Sequence, residues 1–213
     1  MKVFPMPKFS IQSYLRIGKI IPNHRLTLFT GLPSVGKSYT LFKFLNVNKV
    51  EPIWFNLDED PSLTQFSFKG MTSDKSLLRA FFEGDIENIN DECIVIDTYS
   101  RMTAELEIVN NLENQRLITN RLLDLTKKYN STIIVLAHPE DYVGKSSIFN
   151  DNQSLVRDCH EHLHIDKLVS SSRKQEDILY RFYLNKGRGI GGTQIIDNWM
   201  REPMVNPLTG LSC

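Results

Sequence analysis

The sequence predicts an α/β fold: a mostly parallel central sheet with helices on both faces and an antiparallel C-terminal edge. Three observations predict it. Short apolar runs alternate with segments of helical periodicity along most of the chain, the pattern of right-handed βαβ crossovers. Two of those runs, "ECIVIDT" and "STIIVLAH", are uniformly apolar and β-branched, as strands buried on both faces require. The tail instead strings "EHLHID", "DILYRFYLN" and "GTQIID" together through polar or glycine-rich turns, which reads as antiparallel pairing on the same sheet.

Residues 1–24, with Pro5, Pro7 and Pro22, read as a lead-in segment. A single domain is expected over residues 25–200, followed by a tail at 201–213. Its first strand is "RLTLFTG", and the helix from Ser38 to about Asn46 places Leu41, Phe42 and Leu45 on one side. "VEPIWFNLDED" is a second strand closed by acidic residues and Pro61. After the third strand, "ECIVIDT", Leu112, Ile118, Leu122, Leu125 and Tyr129 recur at helical spacing, and "STIIVLAH" follows as the fourth strand. Trp54 and Trp199 fall in strand candidates and read as packing residues.

A chain of 213 residues that is 41% hydrophobic has enough apolar material for one sizeable core. Lys plus Arg and Asp plus Glu both number 25, so the net charge is zero. A global electrostatic footprint for nucleic acid or membrane is therefore excluded, and any such contact must be local. Cys93, Cys159 and Cys213 are scattered, without a CxxC pair, which points to reduced thiols in a cytoplasmic protein. No signal peptide and no membrane span are expected.

The stretch "GLPSVGKS" fits the pattern G-x-x-x-x-G-K-S/T, with a strand before it and a helix after it. Its residue types follow from phosphate chemistry. Gly31 and Gly36 leave the backbone bare, so the N–H groups from Gly31 through Leu32, Pro33, Ser34, Val35, Gly36, Lys37, Ser38 and Tyr39 can form an anion nest, the proline excepted. The positive end of the following helix faces the same spot. Lys37 is placed to neutralise the β- and γ-phosphates of ATP, and the Ser38 hydroxyl to ligate Mg²⁺. A second metal-sphere carboxylate is expected at the end of a neighbouring buried strand, where "CIVIDT" supplies Asp97. Hydrolysis also needs a group that polarises water. "WFNLDEDP" offers Asp58, Glu59 and Asp60 at a strand end, where a parallel sheet opens its ligand crevice. Glu59 is favoured and Asp58 is its rival, since one step of strand register exchanges them.

These pieces, in this order, resemble the RecA-like P-loop ATPases over roughly residues 20 to 197. The resemblance is to the branch of DnaB-type and plasmid RepA-type hexameric replicative helicases and their small phage-encoded relatives. "LDEDP" looks like that family's acidic motif after the second strand, and "VIDTYSRM" like its Walker B strand. "IIVLAH" looks like its third motif, which implies that His138 senses the γ-phosphate. "LNKGRGIGGT" resembles its Lys-x-Arg hairpin, which implies that Lys186 and Arg188 reach a neighbouring subunit's nucleotide and that the chain works as a hexamer or filament. The loops "YSRMTAELEIVNN" and "HPEDYVGKSSIFNDNQS" correspond to those that touch single-stranded DNA, the second carrying Tyr142 and Lys145. The family's N-terminal primase-interacting domain has no counterpart in these residues.

The reading is therefore a Mg²⁺-dependent ATPase acting on single-stranded DNA beside replication or recombination proteins. The alternative is an ATP-switched loader or regulatory protein with slow hydrolysis and no translocation, and a kinase is a third, weaker option. His160, His162 and His164 alternate along one strand candidate. That spacing can ligate zinc, but a polar strand face is the favoured reading.

Overall fold

A computed structural model of the chain describes residues 16–17, 21–32, 35–58, 68–109, 111–138, 153–168 and 179–187. A small antiparallel pair, β1 (Arg16–Ile17) and β2 (Ile21–Pro22), comes first. Strand β3 (Leu26–Thr30) leads into α1 (Lys37–Val47), then β4 (Ile53–Asn56), β5 (Gly70–Thr72) and α2 (Lys75–Glu83). Strand β6 (Cys93–Asp97) is followed by α3 (Tyr99–Glu105) and α4 (Leu112–Lys128). Strand β7 (Thr132–Ala137), α5 (Gln153–Asp158), β8 (Glu161–Leu168) and β9 (Leu179–Gly187) complete the order.

Seven strands form the main sheet in the order β5-β4-β6-β7-β3-β8-β9. All neighbours run parallel except β8 and β9, which pair antiparallel. The expected antiparallel edge is the pair β8 and β9; "EHLHID" lies in β8, which runs parallel to β3, and among the described strands of this sheet only β9 reverses. "GTQIID" and Trp199 lie outside the described residues.

Period-2 alternation sorts the strand residues between two cores. Leu26, Leu28, Ile53, Phe55, Ile94, Ile96, Ile133 and Val135 pack on one face against α2, α3, α4 and α5. Phe29, Trp54, Val95, Ile134 and Leu136 pack on the other against Leu41, Phe42, Phe44 and Leu45 of α1. Ile21, from the segment read as a lead-in, is buried in this second core.

Local chemistry explains the helix limits. Asp74 caps α2 by accepting the Ser76 and Leu77 amides, and Gly84 closes it at φ 81°, in the left-handed region. Asn111 caps α4 by accepting the Asn114 amide, while Lys127 and Lys128 occupy its negative end. The segment "YSRMTAELEIVNN", read as a loop, begins instead with the two turns of α3, whose Tyr99 and Met102 are buried.

Candidate functional site

Four neighbouring strands, β4, β6, β7 and β3, end together at the C-terminal edge of the sheet, and their last residues build the site. Asn56 pairs in register with Asp97, Asp97 with Leu136, and Ala137 with Thr30. Trp54, Val95 and Leu136 face α1, so alternation brings Asn56, Asp97 and His138 to the same side two residues later. The loop after Thr30 carries the first residue of α1, Lys37, to that side.

The two glycines of the loop are required for different reasons. Gly36 has φ 85°, a left-handed conformation that glycine adopts without strain. A Cβ on Gly31 would lie 2.6 Å from Ile165 Cγ2 and 2.8 Å from the Ile165 carbonyl oxygen. Its bareness therefore serves close packing against β8, a reason that phosphate chemistry alone did not give. Val35 is buried in the α1-side core and its amide donates to the Leu32 carbonyl at 3.3 Å. Leu32 is exposed and Ser38 and Tyr39 are half-buried. Pro33 and Ser34 lie outside the described residues.

Lys37 is buried, and its ammonium donates to Gly31 O at 2.9 Å, Leu32 O at 3.0 Å and His138 Nδ1 at 2.8 Å. Burial lowers its pKa to about 8, against the pull of the Asp97 and Asp58 carboxylates. His138 is shifted down by burial and by the Lys37 charge, with Asp58 opposing. At neutral pH the pair is a charged lysine donating to a neutral imidazole. Asp97 is buried beside them, and the peptide that follows it is cis.

Asp58 is exposed just beyond the end of β4, where Arg101 Nε of α3 donates to its Oδ1 at 3.1 Å. Glu59 and Arg188 lie outside the described residues. The backbone of Lys186 pairs with His162, which stands level with Leu28 of β3, so its Cα lies on a strand two away from β3.

Several site residues had little sequence signal. Asn56 is buried beside Asp97, and only its polar character on the Trp54 face of "WFN" marks it. Arg101 shows its role only through Asp58. The alternating histidines divide their contacts. Leu26 donates its amide to His160 Nδ1 at 3.0 Å, whereas His162 Nε2 and His164 Nδ1 meet the Thr30 hydroxyl at 2.8 and 2.9 Å. Two imidazoles therefore hold the residue from which the phosphate loop springs.

No protein-family model matches the sequence, and no curated protein matches it. Among solved structures the chain is similar to the flagellar accessory protein FlaH from Methanocaldococcus jannaschii. That match has 15% identity and a TM-score of 0.53, covering 81% of this chain and 83% of the other. It is also similar to the RadB recombinase, at 16% identity and a TM-score of 0.56, covering 82% and 86%. The fold is α/β and RecA-like.

Proposed function

We propose that this chain is a Mg²⁺-dependent ATPase whose hydrolysis drives action on single-stranded DNA, in the manner of the hexameric helicases its motifs resemble. The observation that carries this reading is the convergence on one side of the sheet edge. There the buried Lys37 ammonium lies between the loop carbonyls and the tip of β7, within electrostatic reach of Asp97 and Asp58. A buried cation on the first residue of a helix, just after a left-handed glycine, suits a polyphosphate.

The loop amides bind the phosphate chain, and Lys37 neutralises the charge that builds on the β- and γ-phosphates. The Ser38 hydroxyl and the Asp97 carboxylate are hard oxygen donors suited to Mg²⁺, and Asp97 is buried where its charge also acts on Lys37. Bound there, the ion would offset phosphate charge during transfer. Glu59, or Asp58, accepts the proton of the attacking water as the bond from the γ-phosphorus to the leaving ADP oxygen breaks. His138, at the tip of the strand between the phosphate strand and the Asp97 strand, reports the γ-phosphate to the loop that follows. Lys186 and Arg188 act on the nucleotide of an adjacent copy, a reading supported by the placement of β9 two strands from β3. The DNA-acting role draws on the sequence motifs and on the fold likeness to a protein named as a recombinase.

The test is ATP turnover with and without oligo(dT). A severalfold rise with single strands is expected, and Lys37→Ala should abolish turnover and nucleotide binding together. A measurable but flat rate favours the second reading, a nucleotide-switched loader or regulator. The balanced charge of the chain supports that reading, because it provides no broad basic surface for a nucleic-acid track.

A further inference from the structure

An ammonium group has three N–H donors, and Lys37 directs all three into the protein. Two go to loop carbonyls, Gly31 O and Leu32 O, and the third goes to His138 Nδ1 at 2.8 Å. A polyphosphate needs those same hydrogens. The histidine is also a fixed acceptor. It follows Ala137, which is buried and paired with Thr30 inside the sheet, so its backbone is not free to follow the lysine toward a ligand.

We propose that His138 is a resident competitor for Lys37: its imidazole holds the ammonium, and an incoming phosphate chain must take the ammonium from it. His138 thereby weakens the binding of any ligand that needs the Lys37 ammonium. The proposal rests on the nucleotide-binding reading above and deepens it. It is separate from the γ-phosphate role, because it acts before any nucleotide is present and it weakens binding.

The contest is unequal in an informative way. A neutral imidazole offers one lone pair to the ammonium, whereas a diphosphate offers several anionic oxygens, so the ligand contact joins two opposite charges where the histidine contact joins a charge to a dipole. A single weakly charged ligand oxygen gains little over the histidine. The latch thus costs every ligand that takes the ammonium the same factor, and a ligand that leaves Lys37 on His138 escapes that cost. Burial and the Lys37 charge both hold His138 in its neutral, accepting form. The carboxylates of Asp97 and Asp58 face the same ammonium, which keeps it charged and available to either partner.

Calorimetric titration with Mg·ADP tests the idea, since ADP has no γ-phosphate for a sensor to touch. His138→Ala should bind ADP about fivefold more tightly than the wild type. His138→Gln, whose side-chain oxygen can accept from Lys37, should stay within about twofold of it. AMP, which competes poorly for the ammonium, should gain less from His138→Ala than ADP does. Weaker or unchanged ADP binding by His138→Ala overturns the proposal, as does a His138→Gln variant that behaves like the alanine. A second measurement needs only the wild-type chain: the ¹⁵N signal of His138 Nδ1 should report an unprotonated acceptor that shifts when ADP is added. An unmoved signal at saturation overturns the latch and leaves the ATPase reading standing. A chain that binds no ADP at millimolar concentration overturns that reading as well.

Discussion

Gly31 has no room for a methyl group. Its Cβ would fall inside contact distance of both the side chain and the backbone of Ile165, and the backbone cannot yield cheaply. Gly31→Ala should therefore destabilise the fold by about 1–3 kcal/mol without nucleotide, measured by denaturant titration. An unchanged midpoint would show that the loop tolerates the side chain. Glu92 allows a pH test. Burial, aided by Asp91, raises its carboxyl pKa from 4.5 to about 7. The folded chain therefore holds this proton where the unfolded chain has lost it, and stability falls as pH rises from 4.5 to 7, with the full cost present above 7. Glu92→Gln should gain about 1 kcal/mol at pH 8, after allowance for water screening, and progressively less toward pH 5. Denaturant curves at the two pH values check the sign. The placement of Lys37 and Asp97 at one edge of the sheet was legible, because a glycine-bounded loop after one buried strand and an aspartate closing another both lead to that edge. Asn56 and Arg101 were not, since each acquires its place only from a neighbour on another element.

Among the helices, burial separates positions that look alike in sequence. Leu122 of α4 is fully buried against the sheet, whereas Leu117 on the same helix is 61% exposed. Leu122→Ala should cost about 2–5 kcal/mol, and Leu117→Ala should stay within about 0.5 kcal/mol of the wild type. Thermal melts of the two variants side by side make the comparison. The helical period had already marked Leu122 as inward. The strands β6 and β7 were equally legible, because continuous β-branched runs have no other stable home. Helices α2 and α3 were missed for a shared reason. Each buries only a few apolar residues, too short a pattern to stand out from a polar connection. The direction of β8 was likewise hidden, because the composition of a strand does not tell which neighbour it pairs with or in which sense.

Across the whole molecule, strand order decides what the site can contain. No local pattern announces that β7 lies between β3 and β6, yet that order is what sets His138 beside Lys37. The same order places β9 outermost among the described strands, with the Lys186 backbone two strands from β3. If the hairpin serves a neighbouring copy, Arg188→Ala should lower ATP turnover by about a thousandfold or more while ADP affinity holds. Mixing that variant with Lys37→Ala should restore partial turnover, because each supplies the half the other lacks. Parallel loss of turnover and affinity, with no rescue on mixing, would place the arginine's role elsewhere.

The order of the sheet also governs when the chain can become a protein. Leu26 meets Ile133 and Thr27 meets Glu161, so β3 has no sheet neighbour until more than half the polypeptide has left the ribosome. Strands β4, β5 and β6 find one another much sooner. During synthesis a three-stranded fragment can assemble while β3 waits as an unpaired apolar segment for a chaperone to shield. Such long-range pairing slows folding, and the sheet closes only once β7 slides in between the waiting strand and the assembled three.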